Sequence, residues 1–71
     1  MNKQVIADNA DIIVNNYAFK KNNNIINIIN LMNLKKIVIS TDGEIVKTNM
    51  DDIEISIVFK YYQRNKKYLE D

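Results

Sequence analysis

The side chains that most often carry enzymatic chemistry are missing from this sequence. It contains no histidine and no cysteine, which usually serve as the general base at neutral pH and as the nucleophile. Only carboxylates, lysines, tyrosines, Ser40 and Ser56 remain for such roles. The sequence also has no P-loop and no glycine-rich dinucleotide-binding motif, since Gly43 is its only glycine. We therefore expect a protein that is not an enzyme and that binds no cofactor.

Acidic residues cluster in segment 41–54, which contains five carboxylates and one lysine. Clustered acids can bind Mg²⁺ or Ca²⁺, but the spacing of an EF-hand loop is absent. Asp42 directly precedes Gly43, where turn chemistry already explains an aspartate. We therefore predict structural carboxylates and no metal site. As exposed charges they are candidates, together with one tyrosine, for contacts with another protein: Asp42, Glu44, Asp51, Asp52 and Tyr62.

The C-terminal segment 60–68 interleaves basic residues with tyrosines. This composition is typical of proteins that stack nucleobases on aromatic rings and hold phosphates with lysine or arginine. The alternative is an ordinary chain end whose basic residues are solvated. The formal net charge of +1 does not by itself attract nucleic acid. The segment supplies an alternative set of site residues, for nucleic acid: Lys60, Arg64, Lys66, Lys67 and Tyr68.

Two helices are predicted in the first half of the chain. Apolar residues recur at helical spacing from Val5 to Tyr17, and two lysines follow where cations favour a helix C-terminus. This pattern predicts a first helix over 3–19. Asparagines 22–24 form a break and can cap a second helix over 24–34. Asparagine recurs there with a period of three, so the apolar face is wide and needs burial in the core or against a second chain.

Strands are predicted in the second half. Two β-branched runs, 37–40 and 44–48, flank an Asp-Gly dipeptide, which is a strong hairpin signal. Residues 53–61 alternate apolar and polar side chains, and this alternation predicts a third strand. A helix is the alternative there, capped by Asn49 or Asp51, with acids in its first turn and bases in its last.

These elements predict one α+β domain over residues 1–71, in the order α-α-β-β-β. Two N-terminal helices are expected to pack on one face of a three-stranded antiparallel meander, and residues 62–70 form a short final helix or a frayed tail. The small size and the lack of disulfides or Cys/His zinc sites favour self-association, so a homodimer is a candidate. The predicted core comprises Ile6, Ile13, Ile29, Met32, Ile39, Ile55, Ile57 and Phe59.

Composition bears on origin and location. Asn and Ile supply 12 and 13 residues, whereas Gly, Ala, Arg and Pro together supply five, a bias that AT-rich codons explain and that indicates a low-GC genome. Charged residues near the N-terminus and the absence of a long apolar run predict neither a signal peptide nor a membrane span. We expect a cytoplasmic protein of a bacterial host.

The leading functional hypothesis is a small protein-binding module. In this view it is a modulator or inhibitor, encoded by a phage or mobile element, that occupies a surface on a host protein. One alternative is a nucleic-acid-binding regulator that uses the basic, tyrosine-containing segment. Another is a small subunit of a larger assembly, whose wide apolar face is permanently covered.

Overall fold

The chain folds into a five-stranded antiparallel sheet with a helix at each end of the sequence. The structure is a computed structural model that describes the backbone of residues 3–69 and the side chains of residues 4–69. Both ends of the chain therefore lie partly outside the described residues. The elements, in chain order, are α1 (Lys3–Asn9), β1 (Ile12–Val14), β2 (Tyr17–Asn22), β3 (Ile25–Asn30), β4 (Lys36–Ser40), β5 (Ile45–Thr48) and α2 (Asp52–Leu69).

The sheet is a meander in which each strand pairs with the next along the chain, in the order β1-β2-β3-β4-β5. Its strand register places Phe19 beside Ile28, and Ile28 beside Ile37. These side chains face α2, so we call this side the helix face. The other side, which we call the open face, carries rows such as Ala18, Ile29 and Lys36. α1 contacts β2 beside this open face.

The prediction of helices over 3–19 and 24–34 is wrong beyond the first seven residues of the former. After residue 9, most residues of both ranges lie in three strands, β1, β2 and β3. The period of three in β3 reflects a central strand that needs apolar side chains on both sides of the sheet: Ile26 and Ile28 point to the helix face, and Ile25 and Ile29 to the open face. The apolar residues of the segment therefore divide between the two faces of a central strand, and Ile25 is 41% exposed on the open face.

The hairpin around Gly43 is confirmed. β4 and β5 flank a turn in which the Gly43 amide donates to the Ser40 carbonyl at 2.9 Å. Gly43 has a φ of 89°, a left-handed conformation that glycine adopts without steric cost. A β-bulge in β5 shifts the register between Val38 and Ile39, leaving Val46 without a partner on β4.

The strand predicted over 53–61 is also wrong, because these residues begin the long helix α2. The features of the alternative are present. The Asp51 side chain accepts a hydrogen bond from the Glu54 amide at 2.8 Å, which caps the helix. Two acids occupy the first turn and two lysines the last, as the helix dipole favours. The fold is α+β, but its order is α-β-β-β-β-β-α.

The core lies between α2 and the helix face of the sheet. Its fully buried side chains come mainly from β2, β3 and β4, with Val58, Tyr62 and Leu69 from α2. Of the predicted core, Ile39 is buried, Ile55 and Phe59 pack against the core, and Ile6 and Ile29 are half-buried. The prediction is wrong for three residues, which are exposed because they lie on an edge strand, in a loop and on the outer side of α2: Ile13 (48%), Met32 (70%) and Ile57 (40%).

No helix within residues 3–69 has the length and apolar character needed to cross a membrane.

Candidate binding surface

The outer side of α2 carries one continuous stripe of exposed side chains. A helix turns by about 100° per residue, which places its buried residues Val58, Tyr62 and Leu69 on one side. Six residues on the opposite side fall within about 100° of the helix circumference. We call them the outer stripe: Ile53, Ile57, Lys60, Arg64, Lys67 and Tyr68.

The outer stripe has an apolar half and a basic half. Ile53 is 75% exposed and Ile57 is 40% exposed, at positions one helical turn apart. Lys60, Arg64 and Lys67 follow and are all exposed. The stripe ends at a tyrosine that is 64% exposed and whose ring lies 5.2 Å from the Lys67 Nζ. A rigid helix therefore presents branched aliphatic, cationic and aromatic groups in a row about 22 Å long.

The charge of this row is uncompensated within residues 3–69. No residue of the outer stripe is acidic, and neither Lys60 nor Arg64 pairs with a carboxylate of the described residues. The only ion pair among the described side chains joins Lys20 to Asp11, at 3.4 Å. The described part of the stripe is therefore a positively charged surface.

A buried polar cluster fixes the N-terminal part of α2 on the sheet. Glu54 Oε2 accepts hydrogen bonds from the Tyr17 hydroxyl at 2.8 Å and from Asn30 Nδ2 at 2.6 Å. Asn30 Oδ1 in turn accepts from the Met32 amide at 2.7 Å. The Tyr17 ring also packs against the Tyr61 ring, with centroids 5.7 Å apart. These contacts hold the helix rotation that turns Ile53 outward.

The same cluster perturbs the Tyr17 hydroxyl. Burial raises the pKa of Tyr17, and the hydrogen bond and charge of Glu54 raise it further, to about 12. The hydroxyl therefore stays protonated and donates to Glu54 throughout the physiological range. Both Tyr17 and Asn30 are buried. The cluster therefore has the geometry of a structural contact that holds α2 on the sheet.

The acidic residues predicted to contact a protein lie at two separate ends of the sheet. Asp42 and Glu44 are exposed at the turn after β4, whereas Asp51 and Asp52 are exposed where α2 begins, at the other end of that strand. A strand of this length separates its ends by about 13 Å. Within residues 3–69, no group of three or more carboxylates is placed to hold a metal ion.

Tyr62 does not belong to an exposed contact surface. It is only 2% exposed and packs in the core beneath α2, so its inclusion among the candidate contacts is corrected. The reason is the helical conformation of 52–69, which places Tyr62 one turn after Val58 on the buried side.

The basic residues predicted to bind nucleic acid fall on two sides of α2. Lys60, Arg64, Lys67 and Tyr68 lie together on the outer stripe. Lys66 is partly buried, about 120° away from Lys60 around the helix. Helical geometry therefore gathers four of the five residues and separates the fifth.

Sequence reasoning missed the two isoleucines of the stripe. Alternation over 53–61 places Ile53 and Ile57 on one side of a strand, and the predicted core includes Ile57. The available signal was the helical alternative for the same segment, because Ile53, Ile57, Lys60 and Arg64 follow a spacing of four, three and four residues. Such a spacing places them on one helix face.

Comparison with known proteins places the chain in a family. A family model described as "Family of unknown function (DUF7723)" matches residues 1–69. The chain belongs to this family. Neither the curated proteins nor the solved structures include a significant match to it. The family description assigns no activity, so the functional argument rests on the surfaces of the molecule.

Proposed function

We propose that this protein is a non-enzymatic binding module that docks the outer stripe of α2 on an acidic, partly apolar surface of another protein. The observation that supports this most directly is the 75% exposure of Ile53, one turn before a second exposed isoleucine and in line with three cations that pair with no carboxylate of residues 3–69. Contiguous exposed apolar side chains on a small protein are characteristic of interaction sites.

The residue types of the stripe suit a protein partner. Tyrosine and arginine are enriched at protein interfaces, and branched aliphatic side chains fill pockets at their centres. The three cations add long-range attraction, which accelerates association with an acidic surface. The cap and the Glu54 cluster already hold α2 in place. Little backbone conformational entropy is therefore lost when the stripe binds.

A partner different from this chain fits the stripe better than a second copy does. A two-fold interface pairs a surface with itself, and antiparallel packing of two outer stripes sets Lys60 near its own copy. The stripe offers no carboxylate to neutralise that contact. The mode of action we propose is occupation of a host-protein surface, and the AT-rich codon bias accords with a modulator encoded by a phage or mobile element.

The proposal is tested by capturing binding proteins from a nuclease-treated lysate of a low-GC bacterium. Three variants are compared with the unaltered protein: Ile53→Ser/Ile57→Ser, Lys60→Glu/Arg64→Glu, and the control Lys47→Glu on β5, which is exposed away from α2. We expect one protein to be retained at near-equal amount by the unaltered protein and by the control. Both stripe variants should lose it, by about tenfold or more in affinity once the partner is purified. Equal retention by all four proteins contradicts the proposal.

Nucleic acid is the second candidate, since Lys60, Arg64, Lys67 and Tyr68 share one exposed side. Binding to phosphates weakens linearly with the logarithm of salt concentration, with a slope of about −0.9 for each contacted phosphate of a duplex. Replacing Lys60, Arg64, Lys66 and Lys67 by Ala would then abolish binding and its salt dependence. Ile53→Ser/Ile57→Ser would leave nucleic-acid binding unchanged, which separates this function from a protein interface.

A small subunit of a larger assembly is the third candidate. Permanent burial of the stripe within a complex is consistent with the same exposed isoleucines. Sedimentation of the purified protein distinguishes this case, because a subunit that depends on its neighbours aggregates alone, whereas a free-standing module stays monomeric as concentration rises.

A further inference from the structure

The open face of the sheet holds a groove that the proposed docking of α2 does not use. α1 lies over one part of this face, and a cavity of about 310 Å³ runs between the helix and strands β2, β3 and β4. This volume is at the lower end of the range of small-molecule sites, about 300–1,000 Å³. At about 30 Å³ for each water-sized group, it holds roughly ten non-hydrogen atoms.

The groove has an apolar interior. Val5 and Ile6 of α1, with Ala10 directly after the helix, line one wall, and Ala18 and Ile29 form the floor on the sheet. Ala18 is 3% exposed at the base of the groove. Val5 is 56% exposed, whereas Ile6 and Ala10 are half-buried. The interior therefore suits a short aliphatic or aromatic group.

The rim of the groove carries hydrogen-bond donors and positive charge. The polar residues that line it are two lysines and three asparagines, and none of the described lining residues is acidic: Asn9, Lys20, Asn22, Asn27 and Lys36. The side chains of Asn22, Asn27 and Lys36 make no hydrogen bond or ion pair with any residue in 3–69. These groups are available to a ligand.

Lys20 and Lys36 approach the groove from two sides. They lie on β2 and β4, with Asn27 and Ile29 of β3 between them. Their Cα atoms are about 12 Å apart, from about 4.8 Å per strand and 3.3 Å per residue, and their flexible side chains can reach one anion between them. Lys20 is held only by an exposed ion pair with Asp11 at 3.4 Å, a contact that contributes at most about 1 kcal/mol and is easily exchanged.

We propose that this groove binds a small organic acid, with an apolar body of about seven carbons under α1 and a carboxylate between Lys20 and Lys36. The size of the cavity sets the body, and the cationic and amide side chains of the described rim set the charge of the head group. A neutral molecule of the same shape would leave the Lys36 ammonium group without a counter-charge from residues 3–69, and a short acid would leave the apolar interior empty.

The experiment uses octanoate as the probe, followed by amide chemical shifts of the labelled full-length chain. 1-Octanol and acetate are the matched controls, since each lacks one half of the proposed ligand. We expect saturable shifts at Ala18, Asn27 and Ile29 with octanoate, and binding at least about fivefold weaker with either control. Residues of the outer stripe should not shift. Shifts spread over the whole chain, or equal binding of octanoate and 1-octanol, overturn the proposal.

Two variants test the site itself. Lys36→Gln removes one cation and should weaken octanoate binding by about fivefold or more, whereas the control Lys47→Gln, on the same face of the sheet but outside the groove, should leave it unchanged. Ala10→Leu keeps both lysines and fills the groove from the α1 side, so it should block binding while the folded spectrum persists. Octanoate binding that survives Ala10→Leu, or that Lys36→Gln and Lys47→Gln affect equally, overturns the assignment.

Discussion

Among single residues, the asparagines of this chain have conformational roles in turns that codon bias does not explain. Asn15, Asn16 and Asn23 adopt positive φ values of 46°, 69° and 57° in the turns between the first three strands. Asparagine tolerates this left-handed region better than other residues with a side chain, except for aspartate. The first turn has two such residues in a two-residue loop, the pattern of a type I′ hairpin. Of the four hairpins within residues 3–69, the first two thus use asparagine where glycine is usual, and the last uses Gly43.

Tyr17 supplies a prediction at this scale, on stability at high pH. Its pKa is raised from 10.0 to about 12 in the folded chain, by burial and by Glu54. A raised pKa stabilises the fold fully below pH 10, and this contribution is lost as pH rises from about 10 through 12. We expect alkaline unfolding in that interval, followed by far-ultraviolet circular dichroism alongside tyrosinate absorbance.

Tyr17→Phe is the matched variant for this prediction. It removes the titrating hydroxyl and keeps the ring that packs on Tyr61. Its stability should fall less steeply between pH 10 and 12, although it is lower at neutral pH because Glu54 loses one of its two donors. An identical alkaline transition in both proteins would show that another group controls it.

At the scale of elements, α2 shows how a local pattern can mislead. Residues 53–61 alternate like a strand, yet they are helical, because the side chains that the sheet buries are Val58, Tyr62 and Leu69 at helical spacing. Ile57, which the strand prediction assigns to the core, is then exposed, as is Ile53. The signals that identified the helix correctly were at its ends, in the cap and in the segregation of acids and bases.

The cap of α2 contributes to the stability of the fold. Asp51→Ala removes the acceptor of the Glu54 amide and should destabilise the fold by about 0.5–2 kcal/mol. Asp51→Asn is the control, since an asparagine oxygen can accept the same hydrogen bond. This variant should lose only a few tenths of the stability that Asp51→Ala loses. Urea denaturation of the three proteins measures both values. Equal losses for Ala and Asn would assign the effect to the negative charge at the helix N-terminus.

At the scale of the whole molecule, one helix supplies one side of the core. The sheet's helix face is covered by α2 alone within residues 3–69, so stability depends on the contact of that helix with β2, β3 and β4. A chain of 71 residues has about 4–10 kcal/mol of total stability. The stability lost through a single cavity at this contact is therefore a large fraction of the total free energy of unfolding.

Val58 and Ile53 test that dependence within one helix. Val58 is fully buried, and Val58→Ala should cost about 2 kcal/mol from lost burial and the cavity left behind. Ile53→Ala, at a site that is 75% exposed, should change stability by no more than about 0.5 kcal/mol. Thermal and urea unfolding provide the comparison. A large loss for Ile53→Ala would mean that the outer stripe is covered, as in a self-associated form.

The α+β class, the hairpin at Gly43, and the cap and charge pattern at the ends of α2 follow from the sequence alone, because each depends on residues close together in the chain. Tertiary structure decided the rest. Residues 25–30 became a strand because β2 and β4 pair with both of their edges, and residues 52–69 became a helix because the sheet had a face to cover. The tertiary structure also placed Lys60, Arg64 and Lys67 beside the two exposed isoleucines and buried Tyr62. Such choices depend on contacts between distant parts of the chain, which local periodicity does not contain.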